Sequence, residues 1–419
     1  MSAQQIDSNT QKTLAFVLFI ALFYLYFFLT LELKPFSDDV TFLSVATSGE
    51  SPLHYLARRY NVWTGRIVIE AVMYTTIAYS AFWKLAIPTL LLLSIYATWR
   101  VFFSKTIDFR YGIPICMALM LLTGHNILDT TIYYVTGFYN YLLPISAAVF
   151  VCATFMRPSL FSTPEKFLAI PLALIASQSE QAGISTLALF TVSLLWDKKS
   201  SLAYRSTLLV IVAIGFAFLI TAPGNYLRLV SELRYMPEFN DYNIIKKIST
   251  GFDVFNAHYT DTRNLYPKAI GILITMLAFQ KQFKFKKIAF VLMAIGVFQG
   301  SIFSNIFNIG TNEYYSLRYA STGLGLEYFL SYTLSILSLV SMIYIMKQLL
   351  ENDASFYLAT FFLLLHTAVT TLVGLSPTAY ESGYRVLLAG DMISLMLICL
   401  LIKELIDQRS HCVLPTPSK

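Results

Sequence analysis

Charge is what this sequence has least of. Only 13% of its 419 residues are Asp, Glu, Lys or Arg, against 56% hydrophobic, well short of the ~25% charged share of a soluble domain. That balance excludes an ordinary water-soluble fold. Cysteine is scarce as well: Cys116, Cys152 and Cys399 lie inside apolar runs, Cys412 lies in the tail, and no CxxC pair occurs. A disulfide framework and a cysteine metal site are both excluded. The chain shows no repeat, no low-complexity tract and no stretch composed like a separate soluble domain. Its formal charge of +6 does not point to nucleic acid, because the Lys and Arg residues are scattered in short intervals rather than along one face.

What is present is grease in long runs, rich in Phe and Tyr. Several runs approach the ~20 apolar residues that span a bilayer as a helix, and none alternates like a barrel strand. The fold class expected is therefore an all-α polytopic membrane protein. Thr13–Leu33 reads as a first, retained span, being longer than a signal-peptide core and lacking a cleavage site. Basic clusters mark the cytoplasmic side: Arg100, Lys105 and Arg110; Arg157 with Lys166; Lys198 and Lys199 with Arg205; and Lys281, Lys284, Lys286 and Lys287. Placing these inside puts every loop of unusual chemistry outside, facing the periplasm if the membrane is a bacterial inner membrane. The scheme gives about ten to twelve spans in one domain over 1–406, with both termini cytoplasmic and a tail at 407–419. Residues 34–66 form the first outer loop and 223–265 the longest.

The first outer loop opens with adjacent carboxylates, Asp38 and Asp39. Removing a proton from an attacking hydroxyl is carboxylate work, and two neighbouring acids oppose each other's ionisation, so one can stay charged or help to bind a divalent metal. The competing reading is that Ser37 and Asp38 cap a helix that starts near Val40. Further on, Leu53, Leu56, Ala57 and Tyr60 recur at helical spacing, which suggests a short interfacial helix over Ser51–Val62. Trp63 suits the aromatic belt. Arg58, Arg59 and Arg66 suit a lipid phosphate, because a guanidinium fork matches its oxygens; plain attraction to anionic headgroups is the alternative.

The other outer loops supply further candidates. Glu180, in SQSEQ between two short apolar segments, could orient an acceptor or sit exposed at a helix end. Tyr133, Tyr134, Asn140 and Tyr141 could form a sugar platform or an interfacial belt. Asn225 and Arg228 in APGNYLR, Arg318 in SLRY and Arg385 in SGYR flank spans, where gripping phosphate competes with snorkelling. His125 and Asp129, four apart, could share a helix face, too small a set for a metal site.

PFSDDVTF followed by WTGR, YYVTGFYNYLLP and APGNYLR resembles the bacterial GT-C membrane glycosyltransferases, especially the serotype-converting glucosyltransferases of O-antigen modification. The resemblance runs over most of the chain as short ordered motifs. It implies a multi-spanning transferase with an undecaprenyl-phosphate-linked sugar as donor, a lipid-linked or lipopolysaccharide glycan as acceptor, and a first-loop Asp as general base. By position that is Asp38 or Asp39, with Asp39 preferred. Arg58, Arg59, Arg66, Arg228, Arg318 and Arg385 would grip the donor phosphate. Trp63, His125, Tyr134, Asn140, Tyr141 and Asn225 would meet sugar or acceptor. The family includes members with and without a metal, so a divalent cofactor stays open. The rival expectations are a transporter or lipid flippase, for which Glu70, His366 and Asp391 offer a proton relay, and an O-antigen polymerase.

Overall fold

The computed structural model describes residues 3–196, 201–279, 281–303 and 326–413. Among the described residues there are helices and no strands, and the chain is an all-α polytopic membrane protein. Among the described residues, seven helices are long and apolar enough to cross a bilayer, or eight if the pair Phe109–Met120 and His125–Thr131, bent by 102°, counts as one broken span. The ten to twelve expected would draw in the shorter apolar helices as well. The segments Thr163–Ala176, Glu180–Trp196, Tyr266–Ala278 and Lys286–Ile302 form helices of only 14, 17, 13 and 17 residues, short of the ~20 needed.

The chain divides into two compact units. Unit 1 comprises Met1–Leu119 and Asn126–Arg228. Its elements are α1 (Ala3–Thr30), α2 (Asp38–Ala46), α3 (Pro52–Val62), α4 (Ile67–Thr76), α5 (Ser80–Phe102), α6 (Phe109–Met120), α7 (His125–Thr131), α8 (Val135–Met156), α9 (Thr163–Ala176), α10 (Glu180–Trp196), α11 (Leu202–Ile220) and the start of α12 (Pro223–Glu232). The core helix is α8, with 89% of its apolar window buried against α5, α9 and α10. A π-helical turn at Phe138–Leu142 interrupts its first part, a feature that often accompanies functional sites.

The short helices at the rim start where side chains dictate. Ser37 caps α2, its hydroxyl accepting from the Asp39 amide at 3.2 Å. Ser51 caps α3 by accepting from the His54 amide, with Pro52 in the first turn. Serine caps satisfy amides that a helix start leaves bare, so the capping reading of Ser37 holds and the helix begins at Asp38.

Unit 2 comprises Met120–His125 and Leu229–Lys419. Its helices are α13 (Ile244–Thr260), α14 (Tyr266–Ala278), α15 (Lys286–Ile302), α16 (Leu326–Leu349), α17 (Asp353–Thr371) and α18 (Leu388–Val413). α13 packs on α17, α14 on α18, α15 on α16, and α17 on α18. The 223–265 interval, expected as a long loop, is mostly helix, and α13 is almost wholly buried from Thr250 to Thr260. Its polar residues, which suggested exposure, find partners inside the unit.

Candidate functional site

In unit 1, residues far apart in sequence meet at a set of helix ends. Arg66, the N-cap of α4, places Nη2 2.5 Å from Oε2 of Glu180, the first residue of α10. Arg66 is mostly enclosed, whereas the Glu180 side chain is 49% exposed, so the pair opens to solvent on its acidic side. Burial works to raise the Glu180 carboxyl; the charge and hydrogen bond of Arg66, with a weaker pull from Arg228, outweigh it and hold the group below its ordinary value. Glu180 is therefore an anion at neutral pH, fit to accept a hydrogen bond and unfit to serve as a general acid. Tyr141, on the π-helical turn, lies within electrostatic reach of Arg66.

A second ion pair locks α3 to α4. Arg59 Nη2 is 2.6 Å from Glu70 Oε1, and the Tyr55 hydroxyl donates to Glu70 Oε2 at 2.5 Å. The Glu70 carboxylate thus has both oxygens engaged, one by a guanidinium and one by a phenol. The Arg59 guanidinium lies over the rings of Phe42 and Trp63 at 5.6 and 5.8 Å, and Arg228 lies 5.8 Å from the Trp63 ring. Trp63 thus sits between two cations, each drawn to its π system. The Nε–H groups of both Arg59 and Arg66 are buried with no acceptor among the described residues, so within these residues the two guanidiniums keep unused donor capacity.

Two glycines hold this cluster together. A Cβ on Gly65 would stand 2.2 Å from the Leu219 carbonyl oxygen, and one on Gly224 would stand 2.4 Å from the Trp63 amide nitrogen. The WTGR and APGN turns therefore touch backbone to backbone, which only glycine permits. Asn225 stitches the same junction: its Nδ2 donates to Leu219 O at 2.7 Å and its Oδ1 accepts from Gly65 N at 3.3 Å. Asn225, expected to meet sugar or acceptor, has both ends of its amide committed to backbone and instead positions Arg66 and Arg228.

The two first-loop acids part company. Asp39 is fully buried; Oδ1 accepts from the Thr136 amide and hydroxyl at 2.7 and 2.6 Å, and Oδ2 from the Lys34 amide at 3.0 Å. Its oxygens are occupied in tying the first loop to the TGFYNY motif, whereas Asp38, one residue earlier on α2, is exposed. Phe36, just before them, is fully exposed in a left-handed conformation, φ 57°, a strain of about 1–2 kcal/mol. With one acid exposed and the other enclosed and satisfied, the pair does not present a joint metal site, and no group of three His, Cys, Asp or Glu able to hold a metal ion occurs among the described residues.

The remaining candidates scatter. Arg58 forms a two-point bridge to Glu50 at 2.8 and 3.2 Å, so its fork is already filled. Tyr134 faces Lys34, whose Nζ also bridges to Asp129 at 2.9 Å. Asn140 back-bonds to Thr136 O. His125 is exposed at the start of α7 and belongs to unit 2. Arg385, also in unit 2, donates from Nε to Ser382 O at 2.9 Å. Arg318 lies outside the described residues.

Unit 2 holds a different polar assembly, which includes His366 and Asp391, named above for a proton relay, together with His258, Asp253 and Asn256, which the sequence reading did not single out. His258 Nε2 pairs with Asp391 Oδ1 at 2.7 Å, while Asp391 Oδ2 is buried with no partner among the described residues. The His366 ring stacks near His258, 6.4 Å between centroids, and its Nδ1 donates to Gly390 O at 2.7 Å. Asp253 accepts from the hydroxyls of Tyr332 and Tyr380, and Asn256 bonds with Ser331 and Ser335. The available signal was the helical spacing of Phe252, Phe255 and Tyr259 in what looked like a polar loop.

Comparison of the chain with protein-family models, with curated proteins and with solved structures gave no match.

Proposed function

We propose that unit 1 carries the site of a glycosyltransferase that moves a sugar from a polyprenyl-phosphate carrier to a surface glycan. The observation that supports this reading most is the gathering of Arg66, Glu180, Arg228, Trp63 and Arg59 from four separate motifs, with two guanidinium Nε–H groups unsatisfied among the described residues. An anionic phosphate suits such a cluster, and a sugar ring suits the nearby aromatic faces. In the reaction, Asp38 takes the proton of the acceptor hydroxyl as that oxygen bonds to the anomeric carbon. The bond from that carbon to the donor phosphate oxygen breaks, and the phosphate leaves with the electron pair, its charge met by the arginines. Glu180, held as an anion, orients a hydroxyl of donor or acceptor and fixes Arg66. Asp39 keeps the first loop in place.

The test is glycan analysis of the host surface polysaccharide with wild-type protein, Asp38→Asn and Glu180→Gln at equal membrane abundance. Loss of the modification in Asp38→Asn supports the reading, and full modification in both variants removes it. A second reading, a transporter, draws on the half-satisfied Asp391 and its two histidines in unit 2. Under that reading His258→Gln abolishes function and Asp38→Asn does not.

A further inference from the structure

The loop between α14 and α15 carries Lys281, Lys284, Lys286 and Lys287, and its four lysines divide by what their ammonium groups do. Lys281 Nζ donates to Leu349 O at 3.1 Å and pairs with Glu351 at 2.8 Å, at the end of α16. Lys286 Nζ donates to Ala278 O and Lys281 O at 2.9 and 2.5 Å. These two therefore cap carbonyls at helix ends and clamp the loop. Tyr344 of α16 adds a third clamp, donating to Lys284 O while its ring meets Phe283 edge-on at 6.1 Å. Lys284 and Lys287 have no acid within ion-pair distance among the described residues.

Phe285, within this clamped stretch, adopts a left-handed conformation, φ 58°, and its side chain is 59% exposed, with the Lys284 ammonium 5.0 Å from the ring centroid. Phe279 at the end of α14 and Ile288 in the first turn of α15 are also exposed, at 81% and 59%. This stretch therefore carries two ammonium groups without an acidic partner among the described residues, one of them over the exposed Phe285 ring. Lys347 is nearby in sequence to the clamp on α16 but is paired with Asp353 at 3.0 Å. Positive charge over exposed apolar surface at the end of membrane helices is the pattern that complements an anionic lipid: phosphate to the ammonium groups, acyl chains to the rings.

We infer that this stretch binds the phosphate headgroup of an anionic phospholipid, with Lys284 and Lys287 as its charge partners and Phe285 as its apolar anchor. The site lies wholly in unit 2 and is independent of the transferase reading. Native mass spectrometry of the full chain, released from nanodiscs of mixed phosphatidylglycerol and phosphatidylcholine, tests it. Wild type should retain phosphatidylglycerol over phosphatidylcholine. The double variant Lys284→Gln/Lys287→Gln should lose roughly ten- to thirty-fold of that preference, while Lys284→Arg/Lys287→Arg keeps it. Phe285→Gly, which relieves the left-handed strain, should weaken retention without lowering the melting temperature, so that the loss is not one of folding. Equal retention of both lipids by wild type, or an unchanged preference in the double Gln variant, overturns the inference. Displacement of the lipid by millimolar inorganic phosphate also overturns it, because a free anion would then be the ligand.

Discussion

The two units handle buried polarity in opposite ways. At the rim of unit 1, carboxylates meet guanidiniums: Glu180 with Arg66 and Glu70 with Arg59, with Glu180 still half open to solvent. Inside unit 2, carboxylates meet hydroxyls and an imidazole instead: Asp253 with two phenols, Asp391 with one histidine ring, and both are fully buried. The first arrangement leaves formal charge and unused donors close to an opening, which suits recognition of an anion. The second uses short hydrogen bonds between helices that have little water to compete with them, which suits adhesion within a membrane. The same residue types therefore carry different roles because their partners and exposure differ.

This contrast is open to attack by substitution, and the largest effect should come from unit 2. His258→Leu leaves both oxygens of buried Asp391 without a donor and should cost on the order of 3 kcal/mol, read as a fall in melting temperature in nanodiscs. The double variant His258→Leu/Asp391→Leu should recover most of that loss; a double variant as unstable as the single would mean the pair is more than adhesion. Next comes the glycine junction. Gly224→Ala pushes a methyl group to 2.4 Å from the Trp63 amide nitrogen and should destabilise unit 1 by about 2–3 kcal/mol, whereas Gly49→Ala, with open space around it, meets only the smaller penalty of its positive φ.

A smaller effect is expected at the unit 1 pair. Because Glu180 is half exposed, solvent screens it, and Glu180→Gln should cost well under about 1 kcal/mol of stability while reducing glycan transfer strongly. Its carboxyl is lowered from the ordinary 4.5, so the contribution of the pair is complete above that pH and fades only as the pH falls through the lowered value. Thermal melts from pH 5 to 8 should show no step that Glu180→Gln removes. Least of all, Arg58→Gln should leave the melting temperature unchanged, since the Arg58–Glu50 bridge is on the surface.

Composition alone was enough for the fold class, because a chain so poor in charge has few other solvents available to it. Ser37 and Ser51 also marked their helix starts correctly, since capping is local chemistry. Pairings across long separations were not legible. Arg66 and Glu180 lie 114 positions apart, and Asp39 and Thr136 lie 97 apart; nothing near either residue encodes its partner. The different surroundings of Asp38 and Asp39 were hidden for the same reason, as they depend on what α8 presents to α2. His258 was overlooked because polarity was read as exposure, whereas α13 turns its polar face toward serines, tyrosines and Asp391.

The most direct measurement is glycan analysis of cells carrying Asp38→Asn beside cells carrying His258→Leu/Asp391→Leu, each normalised to folded protein in the membrane. The account expects no modification in the first and near wild-type modification per folded molecule in the second. Modification that survives in Asp38→Asn and disappears in the double variant would place the chemistry in unit 2 and contradict it.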